Sequence, residues 1–181
     1  MKSFLDLAKQ RRSVRTYINR KITRSHLEKC VEAARFAPSA CNSQEWRFVA
    51  VDSPEKKKEI DGTFKGPYAM NSFASGCAAY IVIVLDSLKT TAWAGGKVMG
   101  TDFRRIDIGI ACDHIVMQAQ DLGIGSCILG WFNEKAVKRI LNVPRNRKIE
   151  LLISLGYPDP GKEKLEKYMK DRKEVLGFNT Y

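Results

Sequence analysis

The amino-acid sequence predicts a mixed α and β fold, and three observations carry that reading. Residues 77–86 (CAAYIVIVLD) are apolar on both faces and rich in β-branched side chains, the pattern of a buried central strand. Ile108, Ala111, Cys112, Ile115, Ala119 and Leu122 recur at helical spacing and would share one face of a long helix. Caps, prolines and glycines punctuate the remainder so that about four strands fall among five helices. The order of elements alone leaves open whether the sheet is parallel.

Each element has its own local cause. Ser3 and Asp6 form a capping box before Phe4, Leu7 and Ala8, predicting a short first helix that runs into the basic stretch Arg11-Arg12-Ser13-Val14-Arg15. A second box, Ser25 with Glu28, is expected to open a helix on Leu27, Val31 and Ala34 that Pro38 stops. A loop covers 37–44, and residues 45–52 alternate as a strand. Ser53, Pro54 and Glu55 supply a cap, a first-turn proline and an acid for a short helix whose lysines read as a solvated face. After strand 77–86 comes a 15-residue loop, 87–101, rich in Gly, Lys and Thr and containing Trp93; connections this long are often lids or binding loops. The central helix spans 102–122 and stops at Gly123, a strand covers 125–132, and Asn133 caps a helix to Leu141. A last apolar strand at 148–156 precedes a charged C-terminal arm from about residue 159, and all 181 residues are expected to form one domain.

Composition narrows the function classes. At 44% hydrophobic and 28% charged residues the chain has the material for a core and is not disordered. Its longest apolar run, 77–85, is under half of the roughly 20 residues a membrane helix needs, and the N-terminus lacks the apolar region of a secretory signal, so a cytoplasmic protein is expected. The cysteines at 30, 41, 77, 112 and 127 form no CxxC pair and mostly interrupt apolar runs, which argues against a disulfide framework or a structural zinc site. With only His26 and His114, hydrolytic triads and zinc sites are starved of ligands, and both histidines read as structural. No GxGxxG is present, and Gly95-Gly96-Lys97 fails as a P-loop because Val98 stands where Ser or Thr is required.

The net charge of +11 is unevenly placed: nine basic against two acidic residues over 1–29, twelve against six over 135–181, and ten against twelve between. Charge of that size admits a nucleic-acid-binding module, but the cations are not interleaved with aromatics. A site for one phosphate needs only a few converging groups. Arg11, Arg12, Ser13 and Arg15 put guanidinium forks and a hydroxyl within five residues, enough for charge-assisted bonds to a phosphate. Residues 38–46 (PSACNSQEW) add small side chains and the amides of Asn42 and Gln44, able to match the donors and acceptors of a flat polar heterocycle.

Taken together, these segments resemble the FMN-dependent nitroreductase family. That family shows an RRSxRxF-like run, then PSxxNxQPW, then an LGLGTC-like stretch, then GYP with a basic tail. This chain offers residues 11–17, residues 38–46, Leu122-Gly123-Ile124-Gly125-Ser126-Cys127 with Ile128-Leu129-Gly130 behind it, Gly156-Tyr157-Pro158, and Arg172-Lys173. The order is kept over nearly the whole chain.

The resemblance implies an α+β, three-layer fold with a mostly antiparallel central sheet flanked by helices, assembled as a homodimer with FMN at the interface. Arg11, Arg12, Ser13 and Arg15 would hold the phosphate, the ribityl chain and one ring edge, joined by Arg172 or Lys173. Pro38, Ser39 and Ala40 would lie against the flavin from the partner subunit, and Asn42 and Gln44 would serve the ring or brace the loop. Leu129 and Gly130 would offer backbone groups near the hydride-accepting nitrogen, and Asn71 falls roughly where some relatives place a flavin-contacting Asn. Glu45 stands where the family usually has Pro, which takes a rigid residue from the loop and adds an anion near the cofactor.

By the same resemblance the activity is NAD(P)H oxidation by two-electron ping-pong transfer to nitroaromatics, quinones or similar acceptors. The flavin does the redox work, so no catalytic side chain and no metal are expected, with Arg15 as a stabiliser of charge on the ring. The alternatives are an FMN protein with a specialised reductive, storage or sensing role, and the basic nucleic-acid module. Residues 61–101, where relatives differ in substrate, resemble the family least.

Overall fold

The computed structural model describes residues 3–86, 101–162 and 166–181. Within them the strands are β1 (Trp46–Val51), β2 (Ala79–Leu85), β3 (Gly125–Leu129) and β4 (Lys148–Gly156). The helices are α1 (Phe4–Gln10), α2 (Arg24–Arg35), α3 (Pro54–Asp61), α4 (Phe103–Asp121), α5 (Glu134–Ile140) and α6 (Arg172–Val175). Two 3₁₀ segments, Ala40–Asn42 and Gly66–Gly76, complete them.

Strand β2 explains the layering. Its side chains alternate, so Ile81 and Ile83 enter one buried cluster while Tyr80, Val82 and Val84 enter another on the opposite face. Each such fully buried aliphatic chain contributes roughly 1.5–3 kcal/mol relative to exposure. Helices α2 and α4 cover the first face through Leu27, Cys30, Ala34, Ile108, Ala111 and Ile115. The second is covered by Ile60 of α3, Ala74 of the 66–76 segment, and Val137 and Ile140 of α5. Three layers result, and the sheet runs β1-β2-β4-β3 with every neighbouring pair antiparallel. The strand polarity that element order left open is thereby settled, as the family resemblance implies.

Local readings hold with a few exceptions. Ser3 and Asp6 make the expected reciprocal box, Ser53 accepts from Lys56 N at 3.3 Å, and Asn133 accepts from Ala136 N at 3.1 Å. The expected Ser25 box does not cap α2. Thr23 is the cap, with extended backbone (φ −74°, ψ 151°) and a hydroxyl that accepts from His26 N at 3.3 Å, which leaves Ser25 inside the helix. The strand expected to reach Phe132 ends at Leu129, and residues 66–76 form a 3₁₀ segment that no periodicity announces. The loop around Trp93 lies outside the described residues, except for Thr101 at its end. No helix among the described residues is long and apolar enough to cross a membrane.

Candidate functional site

The basic segment 11–17 is laid onto the β3 edge of the sheet by two missing side chains. A Cβ on Gly125 would stand 2.7 Å from Val14 Cγ2, and one on Gly156 would stand 2.5 Å from Tyr17 Cδ1. Both separations are shorter than carbon atoms tolerate, so these positions admit glycine because the segment lies directly against them. Backbone bonds then fix it: Val14 N donates to Ser126 O at 2.9 Å, Ile18 N to Tyr157 O at 3.0 Å, and Asp159 N to Thr16 O at 3.2 Å. Tyr17 anchors the end, its hydroxyl donating to Val14 O at 2.7 Å and sharing a 2.9 Å bond with Ser154 Oγ. Burial pushes the phenol's pKa well up, so Tyr17 stays neutral here. Three of the four sequence motifs therefore form one docked unit.

Side chains from this unit converge on one stretch of surface. Arg15 is exposed, with its guanidinium carbon 5.7 Å from the Phe73 ring centroid. Burial raises the pKa of the Cys127 thiol on β3, while Arg15, the Ser13 hydroxyl and Arg11 all work in the opposite direction. Leu129 is buried and Gly130 exposed beyond it. Asn71 Nδ2 donates to Trp131 O at 2.7 Å, so the 3₁₀ segment brings Asn71 beside the Gly130 corner. Ser13 bridges Ser126, and Gly130 lies four residues further along the strand direction, about 13 Å at strand rise. That is the scale of a mononucleotide with its phosphate at one end and its ring at the other. Cationic and hydroxyl donors at one end, with an exposed glycine backbone at the other, fit FMN.

Arg12 behaves differently from its neighbours. Its guanidinium donates to Lys9 O and, at 3.1 Å, to Arg11 O, so it caps the C-terminal end of α1. The tail residues Arg172 and Lys173 are exposed on α6 and make no ion pair among the described residues. The tail does approach α1, where Lys167 Nζ donates to Ala8 O at 3.4 Å.

Loop 38–44 stands elsewhere. It leads from α2 into β1, the opposite edge of the sheet, three strand spacings or roughly 14 Å from β3. Ala40 N donates at 3.1 Å to Asp107 Oδ2 on α4, a buried carboxylate whose pKa burial raises against the pull of that amide. Ser39 Oγ accepts from Gln44 N at 3.1 Å, and Gln44 Nε2 donates to Asn42 Oδ1 at 2.8 Å, so these two amides brace the loop. Cys41, Asn42 and Gln44 all have positive φ, between 49° and 53°, a conformation those bonds must hold in place. Pro38 is exposed and Ser39 and Ala40 half-buried. Glu45 is buried, and its charge acts on Arg104.

Sequence reasoning missed Phe73, Tyr17 and Asp107. Tyr17 sat in a quoted motif without a role, whereas Phe73 and Asp107 carry no local signal. Of the two histidines, His114 Nδ1 lies 2.9 Å from Ile110 O within its own helix, in keeping with a structural role.

Comparison with known proteins bears on the family and the fold. The chain is 32% identical over 167 residues, 90% of each sequence, to an Archaeoglobus fulgidus protein that carries the provisional name NADH dehydrogenase/NAD(P)H nitroreductase. It is 23% identical, over the full length of both, to an iodotyrosine deiodinase of Thermotoga neapolitana. An FMN-dependent nitroreductase of Clostridium difficile superposes with a TM-score of 0.74 at 28% identity, covering 98% of this chain and 99% of that one. Residues 8–157 match the Nitroreductase family, and with the docked RRSVRTY, LGIGSC and GYP segments in place the chain belongs to that family.

Proposed function

We propose that this protein is an FMN-dependent NAD(P)H oxidoreductase that works as a homodimer and delivers two electrons to nitroaromatics, quinones or similar acceptors. The observation that carries the reading is the docked basic segment, with Arg11 and Ser13 at one end of a strand-length platform and Gly130 at the other. FMN bound there would supply the chemistry, taking hydride from NAD(P)H and passing electrons to the acceptor in alternation. The chain's own residues bind and orient. Arg11 and Ser13 would hold the phosphate, Leu129 and Gly130 present backbone groups to the ring, and Arg15 places a fixed positive charge beside it.

The same geometry supports a dimer. One chain puts loop 38–44 and the basic segment on opposite sheet edges, so Pro38, Ser39 and Ala40 would reach the cofactor from a second copy. The tail supports this, because Tyr168, Met169, Val175 and Phe178 are all exposed in the single chain. A partner subunit would cover them and would let Arg172 or Lys173 add charge at the phosphate. The deiodinase relative favours one second reading, reductive dehalogenation of a halogenated phenol on the same flavin.

The deciding measurement is the absorption spectrum of the purified protein before and after anaerobic NADH or NADPH. Flavin bands that bleach with either donor, and return with a quinone or nitroaromatic, are expected. Return with an iodophenol alone would select dehalogenation. A colourless protein that takes up no FMN overturns the proposal.

A further inference from the structure

An open cleft of about 720 Å³ lies between α3 and α5, outside the platform just described. The helix α3 lysines look like an ordinary solvated face in the sequence, and three of the cations there are indeed paired. Lys56 is 3.0 Å from Glu59, Lys57 2.7 Å from Asp61, and Lys138 2.9 Å from Glu134. Three are not. Lys58 from α3, Lys65 before the 3₁₀ segment and Arg139 from α5 line the cleft from three separate elements, and none has a carboxylate partner among the described residues. Unpaired charges converging from different elements form an electrostatic site for an anion rather than a dispersed coat.

The cleft also has an aromatic wall that leads to the flavin platform. Half-buried Tyr68 lines it, and its ring centroid is 5.9 Å from that of Trp131. Trp131 is held in turn, its indole N–H donating to Pro67 O at 2.8 Å and its carbonyl accepting from Asn71. It directly follows Gly130. The cleft therefore opens one aromatic pair away from the proposed ring end, with a flat surface for a base and three cations for phosphates. Its volume is that of a small-molecule site.

We propose that this cleft binds the adenosine-phosphate end of the electron donor, with Tyr68 against the base and Lys58, Lys65 and Arg139 on the phosphates. The inference rests on the NAD(P)H oxidoreductase reading above and adds where the donor's distal half is held.

The test is a calorimetric titration of the FMN-loaded protein with ADP, and separately with inorganic phosphate, for wild type, Tyr68→Ala and the double variant Lys65→Glu/Arg139→Glu. ADP affinity is expected to fall about tenfold or more in both variants, with a parallel rise in KM for the donor and unaltered FMN content. The double variant changes only exposed side chains, so it keeps the test decisive should Tyr68→Ala misfold. ADP affinity that the double variant leaves untouched overturns the proposal, as does phosphate binding as tightly as ADP, or ADP loss without a change in KM. A wild-type protein that donors do not bleach fails the oxidoreductase reading and this one together. Bleaching with ADP affinity unchanged in the double variant fails this one alone.

Discussion

The two edges of the sheet are built on different terms. At the β3 edge, segment 11–17, Gly125 and Gly156 interlock within one chain, and backbone bonds and the Tyr17 anchor complete the platform. At the β1 edge, loop 38–44 holds a strained conformation by its own short side-chain bonds and one tie to Asp107, with Pro38 exposed and Ser39 and Ala40 half-buried. On the proposed reading, a single chain would fold half of the site by itself and leave the other half to a second copy. Damage at the first edge should unfold protein, whereas damage at the second should lower cofactor content with little loss of stability.

The largest effect expected from that contrast is at Gly156. Gly156→Ala drives a methyl into Tyr17, and the resulting overpacking should destabilise the fold by about 3 kcal/mol in urea unfolding while abolishing FMN retention. Full stability in that variant would break the idea of an interlocked edge.

Next is Glu134, which ties α5 to β4 beneath the same half of the sheet. Its carboxylate accepts from Ile149 N at 3.1 Å and lies 2.5 Å from Lys148 Nζ and 2.9 Å from Lys138 Nζ. Burial works to raise its pKa, but Lys148, Lys138 and the Ile149 amide outweigh it and hold the group at about 2. A folded pKa below the unfolded value gives stability that is complete above about pH 5 and lost as pH falls toward the folded value. Glu134→Gln should cost about 2 kcal/mol at pH 7, after discounting for half-exposed Lys148, and the difference from wild type should shrink in unfolding experiments near pH 2.

Asp107 probes the other edge. Asp107→Ala should lower stability by only about 1 kcal/mol yet release the loop and reduce FMN content in the purified protein. Asp107→Asn keeps an acceptor for Ala40 N and should restore it; failure of that rescue would show that the carboxylate's charge, rather than its bond, matters. Smallest in stability is Arg15→Ala, within about 0.5 kcal/mol for an exposed side chain. It should slow flavin reduction in stopped flow more than it weakens FMN retention, and equal losses would remove Arg15 from the ring edge.

The residues make clear how far the sequence could be read. Strand β2 and helix α4 were legible because each is long and strongly periodic, and burial follows period directly. The α2 cap was misplaced because Ser25 and Glu28 match the capping-box spacing, whereas Thr23 caps through its hydroxyl alone and has His26 rather than an acid three residues on. Phe73 was invisible, since a 3₁₀ segment places side chains by its ends and its neighbours and leaves no repeat to detect.

What the sequence determined alone was which chemistry was present: guanidinium forks at 11–15, paired amides at 42 and 44, glycines at 125 and 156, and a family pattern that links them. Distance was decided only by the tertiary structure. Segments more than a hundred residues apart, such as Tyr17 and Ser154, meet because an antiparallel sheet brings the C-terminal end of β4 beside the start of β3, and the N-terminal segment lies over both. The same sheet holds loop 38–44 at the opposite edge, and it gathers Lys58, Lys65 and Arg139 around one cleft although their local sequence marks them only as surface charge. Local sequence encodes period, caps and permitted backbone angles; which separated side chains converge depends on strand order and layer packing, and these are properties of the whole chain.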